Sequence, residues 1–164
     1  MIDQDQVQII SELSRDLVRQ IAPAELPRFE AARTAYFEDP DKVLRGSSPQ
    51  DEILGFGMGE LLTQMTPVIL TVATQVVTFL GVEIKKQIRT ESTGFVGELV
   101  KRMFKKFREP MDKPQSKGIS LTPELLTRIR ETALQSASRL NLPQGQAALL
   151  ADAVVGNLFL APAG

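Results

Sequence analysis

Apolar residues recur every three to four positions along most of the chain, the spacing that lines one face of an α-helix. Val7, Ile10, Leu13, Leu17 and Ile21 mark an amphipathic helix over about 5–21. A shorter helix is expected over about 24–37, through Leu26, Phe29, Ala32 and Tyr36 or Phe37. Pro27 falls in its first turn, where a missing N–H costs little. Thr122-Pro123-Glu124 opens another helix, because Thr caps and Pro suits the first helical position. Leu125, Ile129, Ala133, Ala137 and Leu140 continue it, and Ala147, Leu150, Val154 and Leu158 carry the helix that follows Pro143. The last two pair as a helical hairpin across a tight Asn141-Leu142-Pro143 turn.

Two longer stretches interrupt these periods. Glu38-Asp39-Pro40-Asp41 begins a turn-rich passage that runs through Gly46-Ser47-Ser48-Pro49, and Pro110 to Gly118 is polar with two prolines. The expected fold is all-α, a helical bundle of about five to six helices with a long apolar central helix. Residues 1–110 form its core, with the apolar helix at 60–83 and a basic amphipathic helix at 94–108. Residues 111–118 link that core to a C-terminal hairpin, 119–164, expected to pack on or near the bundle. No repeat at solenoid periods is present.

The apolar helix is the most informative segment. Leu61 to Val82 is 22 residues without a charge, between Glu60 and Glu83. At 1.5 Å per residue it reaches roughly 33 Å, enough to cross a hydrocarbon core. On a helical wheel Thr63, Gln64, Thr71, Thr74, Gln75 and Thr78 share one sector with Pro67. Leu61, Leu62, Met65, Val68, Ile69, Val72, Val76, Phe79 and Leu80 fill the other side, with Thr66 the one polar intruder. A wide oily face with a narrow hydroxyl-and-amide stripe suits a lipid-exposed helix whose polar edge meets other helices or a lumen. It also suits a core helix in a soluble bundle, and both readings stay open. Val, Ile and Thr favour strands, but the clean alternation of a strand is missing.

The next helix sorts its residues by face. Phe95, Val96, Leu99, Val100, Met103, Phe104 and Phe107 oppose Lys101, Arg102, Lys105, Lys106 and Arg108. A cationic face over aromatics fits an anionic membrane surface, and equally a bundle helix with its bases in water. The aromatics do not interleave with the cations, so nucleic acid is not expected as a partner.

Charge separates along the chain. Residues 1–52 carry six basic and eleven acidic side chains, while residues 53–110 carry eight and five. An acidic head before a basic middle agrees with internal pairing or with a polarised contact.

Composition narrows the chemistry. The 164 residues include no Cys and no His. Thiol and imidazole nucleophiles or bases, Cys/His zinc sites and disulfides are therefore absent from the repertoire. Carboxylates such as Glu38, Asp39 and Asp41 leave an enzyme possible, but that run sits beside Pro40 and reads as a solvated turn. Gly55-Phe56-Gly57-Met58-Gly59 lacks the Lys-Ser/Thr of a phosphate loop. The helix after Pro143 holds no Lys or Arg and so makes a poor DNA-reading helix.

No catalytic, cofactor or metal site is expected, and no secretory pattern opens the chain. The expected function is a small non-enzymatic effector, cytoplasmic until activation, that associates with or permeabilises membranes through a latent apolar helix. The alternative is a soluble adaptor acting through protein contacts, and either form could self-associate.

Overall fold

The computed structural model describes residues 4–46, 65–88, 93–104 and 122–158. Thr63, Gln64, the Gly55–Gly59 run, Lys105, Lys106, Arg108 and the 111–118 stretch lie outside the described residues. The described chain is all-α. Its elements are α1 (Gln4–Ile21), a 3-10 turn (Pro23–Arg28), α2 (Phe29–Glu38), α3 (Pro40–Gly46), α4 (Met65–Ile88), α5 (Thr93–Arg102), α6 (Pro123–Arg139) and α7 (Gln144–Gly156).

α4 is the centre of the bundle, and α1, α2, α3, α5 and α6 all pack on it. Its Val68, Ile69, Leu70, Val72, Ala73, Val76, Val77, Leu80 and Ile84 are fully buried. From α1, Ile9, Ile10, Leu13, Leu17 and Val18 are buried, so the expected stripe holds at Ile10, Leu13 and Leu17, widens to Ile9 and Val18, and leaves Val7 and Ile21 half-buried. α6 and α7 pack chiefly on each other, with α6 also against α4 and α7 against α1.

Four boundaries differ from the sequence expectation, one of them the C-terminal end of α4, which lies at Ile88 and not at 83. The helix expected over 24–37 divides at Arg28, because Pro27 sits inside the 3-10 turn and cannot donate to a continuous α-helical ladder. The acidic run at Glu38–Asp41 is a helix junction and not an extended turn. Asp39 Oδ1 accepts from Lys42 N–H at 3.2 Å and Pro40 takes the first helical position, so α3 starts at once. α5 stops at Arg102. Met103 N–H and Phe104 N–H turn back to Val100 and Lys101 carbonyls, and Phe104 then forms an isolated antiparallel bridge with Leu158.

The hairpin forms as its residues suggest. Thr122 Oγ1 accepts from Leu125 N–H at 3.1 Å, with Pro123 first in the helix. Asn141 adopts φ 64°, a left-handed conformation that Asn tolerates, and Leu142 N–H returns to Ala137 O at 3.2 Å.

Two glycines sit where helices meet. At Gly97 a Cβ would come within 3.0 Å of Asp5 Cβ, so the glycine lets α5 close on α1. At Gly81, in α4, a Cβ would have ordinary contacts, 3.7 Å from Gln6 Nε2 and 3.9 Å from Val96 Cγ1. Gly81→Ala is therefore expected to stabilise the fold by about 0.5–1 kcal/mol through helix propensity. A thermal melt should show Tm rising by about 1–4 °C, and a lower Tm would show that the site is tighter than its geometry.

Candidate contact surfaces

α4 exposes one edge, and that edge is the predicted polar stripe. Gln75 and Thr78 are exposed, and Thr71 and Thr74 are half-buried. The threonine hydroxyls turn back on their own helix: Thr71 Oγ1 donates to Pro67 O at 2.9 Å and Thr74 Oγ1 to Leu70 O at 2.7 Å. Such back-bonding satisfies the hydroxyls without water. Tyr36 from α2 donates its hydroxyl to Thr74 Oγ1 at 3.4 Å, so this point of the stripe is a helix contact. Lys85, Lys86 and Val82 continue the exposed edge toward the C-terminal end of α4, where cations complement the helix dipole.

The helix runs through Glu83 and both lysines, further than its uncharged stretch. Glu83 is nearly buried, yet it does not end the helix, because Arg128 Nη2 donates to its Oε1 at 2.7 Å. Lys86 Nζ lies 3.9 Å from the same oxygen. The Arg128 guanidinium also sits 5.0 Å from the centre of the Phe79 ring, a cation–π contact that links α6 to α4 a second time.

At its other end α4 is held by Glu25 from the 3-10 turn. Glu25 Oε2 accepts from Met65 N–H at 2.9 Å, and Oε1 accepts from Thr66 N–H at 2.8 Å and Thr66 Oγ1–H at 2.6 Å. A carboxylate placed on these N–H groups does the work of an N-cap from outside the helix. Glu25, Glu83 and Arg128 were not legible as a set, because each pairs with a partner 40 or more positions away. Thr66 was the available hint. It is buried on the apolar side, and a buried hydroxyl needs a partner.

On α5 the faces fall as the sequence indicates. Val96, Leu99, Val100 and Met103 are buried, Lys101 is half-buried and Arg102 exposed. With Lys105, Lys106 and Arg108 outside the described residues, these two are the described members of the cationic face. Lys101 and Arg102 close the C-terminal end of α5.

Among the described residues, no three acidic side chains gather into a set that could hold a metal ion. Asp39 is engaged as a helix cap.

The described residues hold one helix long and apolar enough to cross a membrane by length and composition, Met65–Gln87, and 61% of its most apolar window is already buried by the rest of the chain. Compared with models of known protein families, with curated proteins and with solved structures, the chain matches none.

Proposed function

We propose that this chain is a non-enzymatic helical module that works through contact with a protein partner, with α4 as its core helix. The observation behind this reading is that the bundle itself takes up the wide apolar face of α4. Nine apolar side chains of that helix, Val68 to Ile84, are at most 2% exposed. Each large one is worth about 1.5–3 kcal/mol when removed from water, so uncovering half of them in solution costs about as much as a whole domain's stability. A chain with no Cys and no His has few groups for covalent or acid–base work at neutral pH, which supports binding over chemistry.

A second reading keeps the lipid surface as the partner, and one observation favours it. The exposed edge of α4 carries no charge from Met65 to Val82, and Thr71 and Thr74 satisfy their hydroxyls within the helix. A surface strip that meets only water is normally charged, whereas this one is compatible with a bilayer.

Vesicle flotation with dye-loaded vesicles rich in anionic lipid separates the two. The contact reading expects the full chain to stay with the soluble fraction and the dye to stay inside, before and after limited proteolysis. In native extracts it expects a soluble assembly heavier than the chain's own 18.1 kDa. Flotation with dye release would overturn it in favour of the lipid reading, and Thr78→Lys should then abolish release while leaving the melt unchanged.

A further inference from the structure

The bundle is not uniformly fastened. α1 brings Ile9, Ile10, Leu13, Leu17 and Val18 into the core, five large aliphatics on one helix. α6 buries only two large ones, Leu125 and Ile129, and otherwise Ala133, Ser136 and Ala137, with Leu126 and Leu134 half-buried beside them. Small side chains bury little area, so the grip of α6 falls off toward its C-terminal half.

The hairpin is by contrast well tied to itself. α6 packs more extensively on α7 than on α4, and Arg130 Nε donates to Asp152 Oδ1 at 2.8 Å across the two helices. Besides the apolar packing of α6 on α4 and of α7 on α1, two ties to the rest of the chain lie at its open end, opposite the Leu140–Pro143 turn. There Arg128 meets Glu83 and Phe79, and Leu158 bridges to Phe104.

The Glu83 carboxylate depends on that attachment. Its side chain is 8% exposed and that of Arg128 is 50% exposed. If the hairpin stays docked without the guanidinium, a nearly buried carboxylate loses its main counter-charge, with Lys86 the remaining cation at 3.9 Å. If the hairpin moves away, water reaches Glu83 and the penalty disappears. Loss of the pair therefore favours separation at this interface.

We infer that the α6–α7 hairpin opens as a unit from a bundle that otherwise stays folded, and that the Glu83–Arg128–Phe79 contact is the latch that holds it down. Opening uncovers the side of α4 that α6 covers and the part of α1 that α7 touches, and leaves the α1–α4 interface shut. The inference does not depend on which partner the protein meets, since it concerns only how the bundle comes apart.

Hydrogen exchange read by mass spectrometry on the full chain tests it. Arg128→Ala should speed exchange in α6 and α7 by roughly tenfold, less than a fully buried pair would give because the arginine is half exposed. Exchange in α1 and α4 should stay as it is. Glu83→Leu combined with Arg128→Leu removes both charges and should restore the hairpin's protection.

Should Arg128→Ala fail to fold, Arg128→Lys keeps the charge but loses the planar group over Phe79, and the same regional pattern is expected at smaller amplitude. Equal acceleration in α1, α4 and the hairpin would overturn the inference by showing one cooperative unit. An unchanged hairpin, or a double variant without recovery, would overturn the role of the pair.

Discussion

A Val76→Lys variant is expected to lose its cooperative thermal transition, while Gln75→Lys, one position earlier, keeps it. Val76 is fully buried and Gln75 is exposed. A lysine at position 76 would enter the packed centre of the bundle, where the described partners are the aliphatics of α4 and its neighbours. Burying an unpaired ammonium is among the costliest single changes, more than about 4–5 kcal/mol, against a total stability of about 5–15 kcal/mol. At position 75 the same side chain reaches water directly, and the cost should stay within about 0.5 kcal/mol. Circular dichroism melts of the two proteins are sufficient. Comparable melts would mean that α4 is not the core helix, and the contact reading would lose its foundation.

The second large effect is expected at Glu25. Replacing it with Ala removes the acceptor for two backbone N–H groups and for the Thr66 hydroxyl together. Hydrogen bonds to a charged acceptor are worth about 1.5–3 kcal/mol each when singly deleted, and neighbours in one cluster do not add fully. Partial exposure of Glu25 lets water replace some of the loss, so about 2–4 kcal/mol is expected. Glu25→Gln keeps one carbonyl acceptor but turns an amide toward donors, and should fall between Ala and the parent. The urea midpoint with an unchanged m-value reads the effect. An effect under about 0.5 kcal/mol would show that the start of α4 is held by its apolar packing alone.

What could be read in advance follows the range of the interactions. Helices with a clear apolar period, such as α1 and the hairpin, fall within a few residues of expectation because the period is a local property. The division at Arg28 and the start of α3 at Pro40 involve proline and aspartate signals that the sequence contains. The apolar period that spans the first and the polar residues around the second point the other way. The stripe on α4 was legible as a stripe, since four of its residues do lie along the less buried edge. Its counterpart across the molecule was not. Tyr36 reaches Thr74 from 38 positions away, and no spacing announces that.

The amino-acid order alone set the all-α class, the presence of a long apolar central rod, and which of its sides would seek shelter from water. Periodicity and side-chain solubility act within a turn or two of helix, so they survive without knowledge of neighbours. Which elements provide the shelter, and how the rod's two ends are fastened by Glu25 and by Arg128, was decided only by the packed arrangement. A carboxylate or guanidinium finds its partner by distance in space, and chain separation of 40 residues or more carries no trace of that distance.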